Sequence, residues 1–361
     1  MKNTYSKRLA RLQELITSLG DELLIVQGFE NISYLSGFSG NAATLLVTPS
    51  KVTMITDYRY YQRAVSETNN IEVVKRDRDN ETLGACIARI AGTKLHVGCE
   101  AVHFNVAQWQ AIACELNAAK LNPRTDLVES LRRIKDANEI DFIREAAGIA
   151  DSALAHTLAQ VKTGMSERDL AIELDYQMQL RGSKGTSFNT ILLFAERSAL
   201  PHGSPGDKQL REGDFILIDF GAVVNGYRSD MTRSYVWGQP SAQQQAIFDT
   251  VQAAQRAALD AVMPGITAHD LNAKAHEVLQ ASPFAQYAGE GLGHGLGLFL
   301  HEIPFLKPGV QYQLEAGNVI TIEPGIYIPD FGGVRLEEDI VVTENGYECL
   351  THAPQQFILG P

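Results

Sequence analysis

In 214-DFILIDFGAVVNGYRSDMTRSYVW-237 two aspartates interrupt a run that is otherwise apolar and β-branched. Asp219 sits inside Ile216-Leu217-Ile218-Asp219-Phe220, where a lone carboxylate withdrawn from water is strongly disfavoured. The segment reads as a β-hairpin joined at Asn225-Gly226, the pair suited to a type I′ turn in which both central φ angles are positive. With those two residues as the loop, Val224 opposes Tyr227, Asp230 opposes Gly221 and Asp219 opposes Thr232. Side chains alternate faces along a strand, so Asp219, Gly221, Asp230 and Thr232 share one face. The two carboxylates become diagonal neighbours, with Gly221 leaving the space between them empty. Two anions so placed need a shared proton or a shared cation.

A cation needs further ligands, and three residues stand where their burial would otherwise be odd. His294 lies in 289-GEGLGHGLGLFLHEIP-304, whose alternating glycines let the backbone pass close to something bulky. No GxxxxGK[ST] follows a strand there, so the glycines do not form a phosphate cradle. Glu323 ends the apolar strand of 319-VITIEPGIY-327, and Glu337 lies within 333-GVRLEEDIVVT-343. Taken singly, each has an ordinary reading: a solvated or arginine-paired glutamate, a hydrogen-bonded histidine, a buried acceptor. Taken together, Asp219, Asp230, His294, Glu323 and Glu337 are more acid than a protein core tolerates without cations.

Two divalent ions are the solution, because carboxylates bridge metals and an oxygen-rich set suits Mn²⁺, Co²⁺, Fe²⁺ or Zn²⁺. Separations of 11, 64, 29 and 14 residues are too long for a zinc finger or an EF-hand, so the fold must assemble the site. Two such ions acidify a shared water and polarise a carbonyl, and Glu323 or a nearby histidine could deliver the proton a leaving amine requires. With no G-x-S-x-G and no cysteine in these segments, the chemistry expected is metal-assisted hydrolysis.

The elements that must position these residues follow from the pattern of apolar positions. Strands are expected at Leu23–Val26, Ala43–Val47, Val52–Thr56 and Leu95–Cys99, with helices around Tyr60–Ser66 and Thr82–Ala91, so the first third alternates α and β. The pattern breaks near 122-NPRTD-126, and a long helix begins at Asp136, which can cap it with Glu139 in the first turn. The boundary between two domains falls between Lys120 and Asp136 and is set at 1–128 and 129–361. The second domain opens with helices at 137–160 and 166–181 before strand Thr190–Phe194 and the hairpin; helices at 241–262 and 268–280 precede a Gly-rich β region. Two helix pairs, each with its own strands, suggest a duplicated α+β unit.

At 361 residues the chain exceeds what one core usually serves. Its 31 Lys+Arg against 43 Asp+Glu, a net charge of −12, argue against a nucleic-acid or anionic-membrane surface. The four cysteines, Cys86, Cys99, Cys114 and Cys349, form no CxxC pair, which suits free thiols in the cytoplasm. No apolar run approaches the ~20 residues of a membrane span, and MKNTYSKRLARLQELITSLG reads as a surface helix rather than a signal peptide.

The segments SFNTILLF, ALPHGSPGDK, DFGAVVNGYRSDMTR, GHGLGLFLHEIP, TIEPGIYIP and GGVRLEEDIVVT, spread over 185–343, resemble in order and spacing the motifs of the pita-bread metallopeptidases of the Xaa-Pro aminopeptidase and Xaa-Pro dipeptidase (prolidase) branch. LSGFSGNAATLLVT and TDYRYYQRA resemble the creatinase-type N-terminal domain of the same branch. The resemblance implies an α+β chain: a creatinase-type α/β domain followed by a pita-bread catalytic domain. It makes Asp219 a ligand of one metal, Asp230 and Glu337 bridging ligands, and His294 and Glu323 ligands of the other. His202 and His301 match two active-site histidines that are not ligands, Arg335 an arginine that orients the site, and Phe188 a wall of the proline pocket.

Two positions depart from the family pattern: Leu192-Leu193-Phe194-Ala195-Glu196, where a glycine is usual, which bears on the substrate pocket, and Glu338, where an aspartate is usual. The activity implied is hydrolysis of the bond between an N-terminal residue and a following proline, with a homodimer as the assembly. The rival readings are a metal-independent creatinase-like amidinohydrolase, which would lack the full ligand set, a non-catalytic pita-bread binding module, which would lose ligands, and, less favoured, a metal-dependent lyase or phosphotriesterase. All five ligand positions are intact.

Overall fold

A computed structural model describes residues 2–116 and 120–360, with side chains for all of these but 2, 3 and 120. Met1 and Pro361, the outer ends of the two expected domains, lie outside the described residues. The chain divides into two compact units, Met1–Arg132 and Arg133–Pro361.

The first unit contains helices α1 (Lys2–Ser18), α2 (Phe29–Ser36), α3 (Tyr61–Glu67), α4 (Leu83–Ala91), α5 (Val106–Leu116) and α6 (Leu127–Arg132). Its strands are β1 (Leu23–Val26), β2 (Ala43–Val47), β3 (Val52–Thr56), β4 (Glu72–Lys75), β5 (His96–Glu100) and β6 (Lys120–Arg124), forming one sheet in the order β4-β3-β2-β1-β5-β6. Antiparallel pairs β1–β2 and β2–β3 sit between parallel pairs at either side. The break expected near 122-NPRTD-126 is instead the edge strand β6, which pairs Pro123 with Cys99. A proline survives there because an edge strand has one row of N–H groups that no neighbour needs. Helix α2, absent from the sequence reading, is only eight residues long and stops at Gly37, whose φ of +77° ends it in the left-handed conformation.

A polar knot ties this sheet to α2 and α6. Glu100 is buried and accepts N–H groups of Gln27 (2.7 Å) and Gly28 (2.8 Å) at the α2 N-terminus. Asn31 Nδ2 donates to both Glu100 Oε1 and Glu129 Oε1 at 2.7 Å, while its Oδ1 accepts from Arg132 Nη1 at 2.7 Å. Glu100, His103 and Glu129 have ligand atoms close enough to suit a cation, but the Asn31 amide already bridges the two carboxylates. Burial raises the Glu129 pKa, and the hydrogen bonds from His103 and Asn31 outweigh it and hold Glu129 at about 2.

The second unit begins with α7 (Ala137–Leu158) and α8 (Glu167–Leu180), each started by a capping box, Asp136 with Glu139 and Ser166 with Asp169. Then come β7 (Ile191–Phe194), β8 (Phe215–Phe220), the two-residue strands β9 (Val223–Val224) and β10 (Tyr227–Arg228), and β11 (Met231–Trp237). Helices α9 (Ala242–Leu259) and α10 (Ala268–Gln280) are followed by β12 (Gly293–Gly295), β13 (Glu302–Leu306), β14 (Val319–Ile322), β15 (Gly325–Ile328), β16 (Gly332–Arg335), β17 (Glu338–Thr343), β18 (Gly346–Cys349) and β19 (Ile358–Leu359). Ala146, Ala150, Leu170 and Leu174 of α7 and α8 pack on Ile216, Ile218 and Phe220 of β8. Ile247, Val251, Leu271 and Ala275 of α9 and α10 pack on Ile320, Ile322 and Ile340. Each helix pair thus covers its own sheet, β19-β11-β8-β7 or β13-β12-β14-β17-β18. On β8 the residues of opposite parity, Leu217 and then Asp219, look the other way, where Leu217 joins Ile191, Leu193 and Tyr327.

Glu129→Gln keeps the shape of the knot and removes its charge, so it should lower the unfolding free energy by about 1 kcal/mol. Because the Glu129 pKa is depressed, its contribution is complete above the usual 4.5 and fades as pH falls toward 2. The His103 pKa is raised from 6.5, first by its hydrogen bond to Glu129, so its share is complete below 6.5 and fades as pH rises past the raised value. Urea unfolding of both proteins at about pH 5.5 and about pH 3 checks this; a gap that widens at the lower pH contradicts it.

Candidate metal centre

The hairpin has the register read from its turn: Tyr227 pairs with Val224, Met231 with Phe220 and Thr232 with Asp219. Asn225 and Gly226 both have positive φ, 49° and 85°. Gly221, however, does not leave an empty space. A Cβ there would lie 1.8 Å from the Ser229 carbonyl oxygen, so the glycine permits the two strands to close up. The amide of Asp230 donates to Asp339 Oδ2 at 2.8 Å, a partner in a different sheet. The same correction applies around His294. Cβ atoms at Gly293 and Gly295 would meet the Thr321 carbonyl at 2.2 Å and the Ile303 carbonyl at 2.7 Å, so the bulky object those glycines admit is neighbouring backbone.

The five residues of the proposed ligand set converge. Single ligand atoms of Asp230, His294 and Glu337 lie within 4.8 Å of one another. His294 Nε2 is 3.3 Å from Glu323 Oε1 and 3.6 Å from Asp230 Oδ2. Asp219 joins them through Arg335, whose Nη2 donates to its Oδ2 at 2.5 Å. Thr232 Oγ1 donates to Glu337 Oε2 (2.5 Å) and accepts from Arg335 Nε (2.9 Å), so one hydroxyl links the hairpin to both residues. Thr321 does the equivalent for the other pair: its hydroxyl accepts from the His294 amide (3.1 Å) and donates to Glu323 Oε1 (3.0 Å).

Two observations show that these donors fit cations. Asp219 Oδ1 and Glu337 Oε1 are buried carboxylate oxygens with no hydrogen-bond partner. His294 Nδ1 is 3.0 Å from the Gly295 carbonyl, which fixes that nitrogen as the N–H and leaves the Nε2 lone pair pointing among carboxylate oxygens. Lone pair against lone pair is repulsive unless a cation sits between them. Burial, then the neighbouring carboxylates, push Asp230 and Glu337 well above the usual range; burial also raises Glu323, with Arg335 pulling it back. Burial lowers His294, keeping the imidazole neutral as a ligand must be.

The remaining candidates surround this set. The His301 ring lies edge-on to His294 with centroids 4.3 Å apart and is exposed. His202 is exposed on the loop before β8, and the carbonyl of its neighbour Pro201 accepts from Arg335 Nη1 at 3.4 Å. Arg335 is buried, its Nη1 also donating to the Tyr327 hydroxyl at 2.8 Å. It orients Asp219, and four of its five N–H donors meet Asp219, Thr232, Tyr327 and Pro201. Phe188 is half-buried and takes no part in these hydrogen bonds. Glu338 points away to Arg233 Nη2, 2.9 Å from each carboxylate oxygen, and accepts from Thr351 and Gln355. Asp339, Thr321 and Tyr327 were not singled out in the sequence; for Asp339 the signal was its position two residues beyond Glu337, on the same side of an extended chain.

Residues 141–344 match the metallopeptidase family M24, and residues 8–134 match the creatinase/prolidase N-terminal domain. The chain belongs to metallopeptidase family M24. It is 33% identical to the Xaa-Pro dipeptidase of Pyrococcus furiosus over 98% of this chain and 99% of that one. Among solved structures it is similar to the Xaa-Pro dipeptidase from Bacillus anthracis, with a TM-score of 0.94 and 33% identity over 98% of this chain and 100% of the other. The X-Pro aminopeptidase from Thermotoga maritima superposes with a TM-score of 0.89 and 32% identity, covering 97% and 100%. The chain is therefore an M24 hydrolase, with a creatinase-type N-terminal domain and the pita-bread catalytic fold. M24 membership carries divalent metal ions with it, and the donor set described above suits them. The amidinohydrolase and binding-module readings are not favoured.

Glu337→Gln removes a charge from the most crowded point. The metal-free variant should melt at or above the wild-type temperature, because like-charge repulsion is relieved, while its affinity for Mn²⁺ or Co²⁺ falls about 100-fold or more. Calorimetric titration beside thermal melts of the metal-free proteins tests both halves; a destabilised variant with unchanged affinity refutes the role.

Proposed function

We propose that this M24 enzyme hydrolyses the bond between an N-terminal residue and a following proline, with two divalent ions, Mn²⁺ or Co²⁺ ahead of Zn²⁺ or Fe²⁺, held by Asp219, Asp230, His294, Glu323 and Glu337. The observation that carries the reading is the His294 Nε2 lone pair set among the carboxylates of Asp230 and Glu323. The printed names of its relatives, Xaa-Pro dipeptidases and an X-Pro aminopeptidase, support the substrate class. By the resemblance, Asp219 would hold one ion, His294 and Glu323 the other, and Asp230 and Glu337 would serve both. When bound, the ions supply an acidified water and a polarised scissile carbonyl.

The chain's own residues do the rest. Arg335 holds Asp219 in place through the charged hydrogen bond from Nη2. Glu323, fixed at Oε1 by Thr321, can take a proton and return it to the leaving nitrogen. His301 and His202, both exposed beside the ligand set, face the substrate and stabilise charge on the scissile group. The imide nitrogen of proline has no N–H and its ring fixes φ, so shape selects it rather than an acceptor for an N–H. Phe188 and the His202 and His301 segments are the walls we assign to that pocket. Catalysis belongs to residues 129–361, and 1–128 form the creatinase-type domain. We place the enzyme in the cytoplasm as a homodimer, with a peptide substrate and no nucleic-acid or membrane partner. Among the described residues no helix is long and apolar enough to cross a membrane.

Rates on Xaa-Pro, Xaa-Pro-Yaa and Xaa-Ala-Yaa with Mn²⁺, Co²⁺ or Zn²⁺ supplied test the substrate. Equal rates on the proline and alanine tripeptides sink the proline reading, and cleavage of Xaa-Pro alone makes the enzyme a dipeptidase. His202→Ala and His301→Ala should each keep metal and lose about 10²-fold or more in kcat; loss of metal would make that histidine a ligand instead.

A further inference from the structure

One buried acid in the catalytic unit takes no part in the metal centre. Glu167, the first residue of α8, is 0% exposed. Its Oε1 accepts from the Phe194 amide at 2.8 Å, its Oε2 accepts from the Gly206 amide at 2.8 Å, and Arg197 Nε lies 3.0 Å from both oxygens. Phe194 and Gly206 are the two ends of the loop that carries His202. Arg197, itself in that loop, also donates Nη2 to the Ser204 carbonyl at 2.7 Å. One carboxylate therefore clasps the entry, the middle and the exit of the loop.

The α8 N-terminus adds a second seam, since the Glu167 amide donates to the Lys208 carbonyl (3.0 Å) and the Arg168 amide to the Gly206 carbonyl (3.1 Å). On its inner side the loop touches the metal centre through the Arg335 bond to Pro201 and through Ser198 Oγ, which accepts from the Gly333 amide at 2.8 Å. The loop is thus held between α8 and β16, with exposed His202 at its outer part. Three donors converging on one desolvated carboxylate make a far stiffer joint than the exposed Lys208–Glu196 pair on the same loop.

We propose that Glu167 is a positioning residue for the reaction, fixing His202 against the substrate by clasping residues 194–206. It rests on the reading of His202 as a substrate-facing group. A group on a glycine-containing exposed loop that shifts by about 1 Å loses about 10²-fold of its effect, so the clasp sets the value of His202 without touching substrate. Glu167→Gln keeps the size of the side chain, and leaves the Gly206 amide, the Phe194 amide and Arg197 facing one acceptor oxygen instead of two.

The test is a double-mutant cycle on the metal-loaded enzyme with a proline dipeptide or tripeptide, alongside metal content and hydrogen exchange of the loop amides. Glu167→Gln should lower kcat about 10- to 100-fold with full metal content and faster exchange over 195–206, and should change the residual rate of His202→Ala by less than about twofold. The same fold-loss in both backgrounds, or none in either, overturns the proposal. A His202→Ala variant with wild-type kcat overturns the reading of His202 and the proposal with it, a pattern distinct from additivity. Should Glu167→Gln not fold, Arg197→Gln, at a side chain one-third exposed, enters the same cycle with the same criteria.

Discussion

Four carboxylates, Asp219, Asp230, Glu323 and Glu337, are held within reach of one imidazole and one guanidinium, and the rest of the catalytic unit is arranged around the repulsion this creates. Like charges about 4 Å apart at an effective dielectric near 20 oppose each other by about 4 kcal/mol. That is comparable with the whole stability of a typical domain, about 5–15 kcal/mol. A fold can carry such a cluster only if each acid is fixed by elements too stiff to relax and if cations complete the charge balance. Among the described residues, the unpartnered oxygens of Asp219 and Glu337, with Asp339 Oδ1 two residues beyond Glu337, are where the protein has left that balance open.

Stiffness comes from where each acid is mounted. Asp219 stands on a strand whose opposite face is locked by Ile216, Ile218 and Phe220 into the core under α7 and α8. Glu323 and Glu337 border strands whose Ile320, Ile322 and Ile340 lie in the other core. Each half brings its own acids, and short hydrogen bonds join the halves: the Thr232 hydroxyl with Glu337 and Arg335, and the Asp230 amide with Asp339. Gly221 lets the backbone close on the Ser229 carbonyl, and Gly293 and Gly295 let it close on the Thr321 and Ile303 carbonyls. A substitution at any of them would move a ligand by moving a strand.

The cluster of acids was legible in the sequence because acid inside an apolar strand is a local contradiction. The hairpin register was legible because Asn225-Gly226 pins it and side chains alternate with period two. The helix start was legible at Asp136 because a cap is a local chemical event. What escaped depended on partners far along the chain. Pro123 suggested a break because nothing local says that β6 is an edge strand. Gly221 suggested an empty gap because only the fold shows the Ser229 carbonyl filling it. An oxygen-rich donor set with one imidazole suits several divalent ions.

Chain-length preference turns on which groups can meet a substrate carboxylate. A dipeptide carries its carboxylate close to the scissile bond, and a desolvated guanidinium would be the natural partner. Near the metal centre the guanidiniums already carry commitments: Arg335 to Asp219, Thr232 and Tyr327, Arg233 to Glu338 and the Ala353 carbonyl, and Arg197 to Glu167 and the Ser204 carbonyl. Withdrawing any of them would strand a buried acid, a change that typically outweighs one substrate contact. On the proposed reading, discrimination between a dipeptide and a longer peptide falls first to the exposed rim, where His202 and His301 stand. The rim is made of loops, and the loop bearing His202 is held in place by Glu167 and Arg335 from either side.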